Sequence, residues 1–308
     1  MSSPTNKPIS TNGWENTLNH TTTTASTSCD SKTAVLFKCY YLNKSALKEL
    51  ERIRSSIDPS KFDLFYSYDN TRNDLRAPSG VKVHTFTQNG IAARYTAGVK
   101  KIYLWKNTEL STIDFCLSHP EYSHYWVIDH DVRFTGDWNV FLNSFTNDDA
   151  DLLATYVSRY GERKWHVDVE EDWWAWSDTN LELENREKTR AFFAVYRFSK
   201  RALEFLDEQY RSGVQGFCEM IIPTSLERGG FKIKDIGSNW YDRETFNYFG
   251  RRIAAGQEKN KLYHPILPLS RLLHRRYKGF IKRIFDPLKK SRLTKHLAYY
   301  RSRICGGG

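Results

Sequence analysis

Residues 124–138 read His-Tyr-Trp-Val-Ile-Asp-His-Asp-Val-Arg-Phe-Thr-Gly-Asp-Trp, and the fold turns on that stretch. Its first five residues form a short apolar run of strand length, bounded by turn-forming residues, that stops at a carboxylate, Asp129. Upstream, the same pattern alternates with helical periodicity. An apolar strand is expected over 33–41 (TAVLFKCYY), then a helix over 43–56 with Asn43 or Ser45 as its cap. Strands follow over 61–68 and 81–86, and a helix over 111–119 is stopped by Pro120. Strand alternating with helix predicts an α/β domain: a mostly parallel central sheet with helices on both faces. Ligands of such sheets bind at the carboxyl ends of strands, where Asp69 and Asp129 both fall.

Downstream the pattern is less regular. Strands are expected over 151–158, 190–198 and 231–236. One helix starts at Ser199, runs through 210 and ends at Gly213; another covers 217–228 and closes on Gly229-Gly230. The chain has 308 residues, 40% hydrophobic and 15% aromatic, enough for a large core. Its net charge of +10 is concentrated from Arg271 onward, where twelve Lys or Arg stand against one acid, Asp286. The predicted organisation is a polar, low-complexity leader over 1–31, a catalytic domain over 32–268 and a basic segment over 269–308. The five cysteines are odd in number and form no Cys-x-x-Cys pair, and the N-terminal residues lack a basic-then-apolar leader. A reducing, cytoplasmic setting is therefore expected.

Residues two apart on a strand share a face, so Asp129 and Asp131 can converge on one cation if the strand runs through both. Hard carboxylate oxygens suit Mg²⁺ or Mn²⁺, usually completed by a substrate phosphate. Two solvated loop acids would read the same way in isolation. The run from Tyr125 to Trp138, however, resembles the Asp-x-Asp segment of GT-A glycosyltransferases, in particular an acid-x-Asp-Val-Arg-aromatic-Ser/Thr-Gly-x-Trp pattern. The resemblance implies a GT-A (Rossmann-like) fold and transfer of a sugar from a nucleoside diphosphate donor, a UDP-sugar by base rate, to a glycan or glycolipid. It makes Asp131 the principal metal ligand. Asp129 would contact the ribose or donor sugar, or share the ion. Two further segments are similar to that plan: Gly216-Phe217-Cys218-Glu219-Met220, with Glu219 as acceptor-side general base, and Tyr263-His264-Pro265, with His264 as a metal ligand. The family's Asp after Glu219 is Met220 here. A base at Glu219 would give a single, inverting displacement; the bland alternative is a surface acid paired with Arg228 or Lys232.

Other residues are candidates for the donor pocket. Asp69 can accept from the base or ribose, or simply form a turn with Asn70. Trp105 and Lys106 can stack on the donor and touch its phosphate. Arg133 can add charge beside the diphosphate, or pair with Asp137. The acid-and-indole segment from Glu170 to Trp176 suits a sugar acceptor, or a core. The basic stretch over 271–303, interleaved with apolar residues, fits the anionic inner face of a membrane; nucleic acid is not expected as a partner. Two rival classes stay open. A phosphohydrolase of the haloacid dehalogenase type also places Asp-x-Asp after a strand, but near the start of its domain and without an Arg at the position of Arg133. A basic module binding nucleic acid or membrane explains the tail and leaves Asp129, Asp131, Glu219 and His264 without a purpose. An EF-hand is excluded, since Phe134 stands where its loop needs Gly.

Overall fold

The computed structural model describes residues 32–40, 43–73, 77–95, 106–162, 179–246 and 258–266. The expected leader, Trp105, the acid-and-indole segment and the basic C-terminal stretch lie outside them. Seven strands form one mixed sheet: β1 (Thr33–Cys39), β2 (Phe62–Asp69), β3 (Lys82–Phe86), β4 (His124–Asp129), β6 (Leu152–Arg159), β7 (Thr189–Ser199) and β8 (Ile233–Asp235), in the spatial order β3-β2-β1-β4-β7-β6-β8. Strands β3, β2, β1 and β4 pair in parallel, β7 runs against both β4 and β6, and β8 is parallel to β6. The expected α/β architecture is therefore what forms, with one reversed strand.

Alternation along the central strands sorts side chains between two cores. On β1 and β4, Ala34, Leu36, Tyr125 and Val127 enter one cluster, which includes residues of α2 (Gln88–Arg94), α3 (Leu110–Ser118), α5 (Lys200–Arg211) and α6 (Cys218–Arg228). Val35, Phe37, Trp126 and Ile128 enter the other, with residues of α1 (Lys44–Ser56) and α4 (Trp138–Asn143). Both faces are thus covered, which is why these strands read as continuous apolar runs. Strand β7 is buried along all eleven residues. Local caps fix the helix starts: Asn43 accepts from the amides of Ser45 and Ala46, and Ser199 accepts from Ala202. Among the described residues no helix is long and apolar enough to cross a membrane.

The expectation that one strand carries both acids needs correcting. Strand β4 ends at Asp129, the chain turns with Val132 N donating to Asp129 O at 2.9 Å, and Asp131 lies in the turn. The next pairing is a separate two-stranded ribbon, β5 (Arg133–Phe134) antiparallel to β9 (Leu262–Tyr263). Any convergence of the two acids comes from this turn and not from strand alternation.

Candidate active site

The parallel register sets Lys38, at the end of β1, directly opposite Asp129, at the end of β4. The Lys38 ammonium sits 3.2 Å from Asp129 Oδ1, with side chains 4% and 14% exposed, and donates to the Thr108 hydroxyl. Burial drives the Asp129 carboxyl upward and Asp131 adds to that, while Lys38 opposes both. For Lys38, burial favours the neutral amine, yet the attraction of Asp129 outweighs it and the amine is held above its ordinary value. The two groups keep each other charged in a place where either alone would not be.

One turn further on, Asp131 Oδ1 lies 3.5 Å from His264 Nε2. Hydrogen bonds bring this distant residue in. Thr135 N donates to Lys261 O (3.0 Å), His264 N to Thr245 O (2.9 Å) and Ile266 N to Asp131 O (2.7 Å), so the 258–266 segment is fastened along the turn. The imidazole packs edge-on against Phe192, centroids 5.1 Å apart. Among the described residues no three His, Cys, Asp or Glu side chains gather as a metal cage. One carboxylate and one imidazole, 20% and 12% exposed, instead fit a hard divalent ion that takes its remaining ligands from substrate phosphates and water.

The residues after Asp131 build a seat for the turn. Glu49, buried on α1, accepts from Trp138 Nε1 (2.8 Å), Phe134 N (3.2 Å) and Arg52 Nη1 (2.9 Å). Arg52 reaches on to the carbonyls of Phe134 and Gly136. A Cβ at Gly136 would come 2.7 Å from the Phe134 ring, closer than side-chain carbons pack, so glycine is required there. In the Arg-Phe-Thr-Gly-x-Trp run, Gly136 and Trp138 thus serve packing. Arg133 is half-buried on β5 and meets no acid among the described residues. The expected alternative of a pair with Asp137 is corrected: Asp137 caps α4 through Asn139 N and accepts from the Ser56 hydroxyl.

Glu219 lies in the first turn of α6 and is buried, 6% exposed. The cations offered as its surface partners reach other acids, Arg228 to Glu187 and Lys232 to Asp149. The start of α6 is docked on the 106–109 loop, where Cys218 N donates to Lys106 O at 2.9 Å. That loop supplies Thr108 to Lys38, which links the base candidate to the acidic pair through two contacts. Asp69 sits at the end of β2 as expected, but both its oxygens are engaged, by Thr71 and by Gln88 Nε2 at 3.0 Å. It works there as a turn former that also ties down α2.

Two residues escaped the sequence reading. Lys38 is the only charge in an otherwise apolar strand, and that break in pattern was its signal. Glu109, at the start of α3, is fully buried beside Tyr210; burial pushes its carboxyl up to about 7, with Tyr210 and Lys38 pulling the other way. An acid immediately before an apolar helix gives no such warning, because it reads as a solvated cap. A third grouping, Ser67, His84 and Asp114, is bonded in line, with His84 3.2 Å from each. Ser67 is 1% exposed, so this line braces β2, β3 and α3 and has no access to a substrate.

No protein-family model matches the sequence, and no curated protein matches it. Among solved structures, mouse xyloside xylosyltransferase 1 in its apo form is similar at a TM-score of 0.40 and 12% identity, over 77% of this chain and 99% of that one. A 4-diphosphocytidyl-2C-methyl-D-erythritol synthase from Anaerococcus prevotii is similar at a TM-score of 0.39 and 9% identity, over 67% of this chain and 86% of that one.

Proposed function

We propose that this chain is a divalent-metal-dependent glycosyltransferase of the GT-A type. It moves a sugar from a nucleoside diphosphate donor, a UDP-sugar by first choice, to a hydroxyl of a glycan or glycolipid. The observation that carries the reading is the meeting of Asp131 and His264 at 3.5 Å, beside the carboxyl end of a central strand where α/β sheets bind their ligands. A pair of this chemistry holds Mn²⁺ or Mg²⁺ once phosphate oxygens complete the shell. When bound, that ion supplies positive charge to the departing diphosphate.

The remaining work belongs to side chains. Asp129, held as a carboxylate by Lys38, accepts from a hydroxyl of the ribose or donor sugar. Glu219, buried at the start of α6, takes the proton of the acceptor hydroxyl as its oxygen attacks the anomeric carbon, and a single displacement inverts that centre. Arg133 and Lys106 lend charge to the diphosphate end, with Trp105 beside them. The basic 271–303 stretch holds the enzyme at an anionic membrane surface, close to a lipid-linked acceptor.

The test is a donor-hydrolysis screen across nucleotide sugars, with Mn²⁺ and with chelator, on the full chain. One donor is expected to turn over only with metal, and Asp131→Ala to abolish that turnover while circular dichroism stays unchanged. Full turnover by Asp131→Ala would end the assignment.

A further inference from the structure

A lysine as buried as Lys38 is costly to keep, and the cost is met only where a partner keeps it charged. Its partner is half of the acidic pair, directly across the parallel register at 3.2 Å. Thr108 accepts from the same ammonium, and the Tyr196 ring lies 5.8 Å away. The ammonium is therefore fixed from two other elements, and Asp129 Oδ1 is fixed by it. Asp131 has a different neighbour, His264 at 3.5 Å. The two acids of the motif thus have separate partners: one is claimed by an internal cation, the other is left beside an imidazole.

We propose that Lys38 is a positioning residue that withholds Asp129 from the divalent ion. This rests on the ion site proposed above. With Asp129 occupied, the protein offers the ion only Asp131 and His264, and such a shell is incomplete until a diphosphate arrives. Lys38 thereby makes metal binding weak before the donor binds and strong afterwards, so that ion and donor are taken up together.

The prediction is a gain. Removing Lys38 frees Asp129 to turn onto the ion as a third protein ligand, whereas loss of a merely structural lysine weakens or unfolds the protein. The measurement is electron paramagnetic resonance of free Mn²⁺ titrated into the full chain without nucleotide. Lys38→Met is expected to bind Mn²⁺ roughly tenfold more tightly than wild type, the low end of what partners behind a metal ligand control. Lys38→Met combined with Asp129→Asn replaces the buried pair by neutral side chains of similar size, which folded proteins tolerate. That double variant is expected within about twofold of wild type, and Asp131→Asn at least about tenfold weaker.

A folded Lys38→Met that binds Mn²⁺ no better than wild type overturns the proposal. If Lys38→Met does not fold, the double variant decides: Mn²⁺ loss as large as that of Asp131→Asn would make Asp129 a ligand and also overturn it. Insensitivity of Mn²⁺ binding to both Asp131→Asn and His264→Gln is a different failure. It removes the underlying ion site, and this inference with it.

Discussion

Glu109 gives the account its sharpest stability test. Its carboxyl is fully buried, and burial moves it from an ordinary 4.5 to about 7. Between those values the folded protein holds a proton that the unfolded chain has released, so stability falls as pH rises from about 4.5 to about 7 and is flat above. A displacement of that size corresponds to about 3 kcal/mol. Glu109→Gln keeps the shape and removes the charge. Its stability relative to wild type should therefore be near zero at pH 4.5 and rise to about 3 kcal/mol in its favour by pH 8. His124 works in the opposite sense: burial, helped by Arg197, lowers it to about 4, so its contribution grows with pH up to about 6.5. It is present in both proteins and cancels in the difference. Urea unfolding of both chains, followed by circular dichroism at several pH values, reads the effect. Parallel curves, or a variant less stable than wild type at pH 8, would mean that Glu109 is charged and needed as such, and the burial reasoning would be wrong.

Two further outcomes follow from the seat and from the base. Glu49→Ala leaves Trp138 Nε1, Phe134 N and Arg52 without their shared acceptor; it should cost about 3 kcal/mol in urea unfolding and weaken Mn²⁺ binding by loosening the turn. Glu219→Gln should lower sugar transfer by about 10²–10⁴-fold at unchanged affinity for UDP with Mn²⁺, measured by initial rates and calorimetry. A change in UDP affinity without a change in turnover would move Glu219 from base to binder.

Much of the fold was legible because buried parallel strands leave continuous apolar runs, and 33–41, 124–128 and 190–198 are such runs. Caps at Asn43 and Ser199 were legible for a local reason, since the side chain that stops the preceding strand also starts the helix. The missed elements are short. Helix α4 has six residues, α2 seven, and the β5–β9 ribbon two per strand, too few to show a period. The turn at Asp131 was misread as strand because Val132, Arg133 and Phe134 have the composition of one; what breaks the strand is the ribbon with 262–263, a contact no local pattern encodes. The site divides in the same way. Asp129 and Asp131 announce themselves by spacing, and His264 only by resemblance. Lys38 and Glu109 become meaningful once the register and the core are known.

The most direct test of the central claim is calorimetric binding of UDP to wild type and to Asp131→Asn, each with Mn²⁺ and with chelator. The account predicts that wild type binds UDP tightly only with Mn²⁺, and that Asp131→Asn, still folded, loses most of that metal-dependent affinity. Equal UDP affinity with chelator, or an Asp131→Asn variant that keeps the Mn²⁺ dependence of wild type, would contradict it.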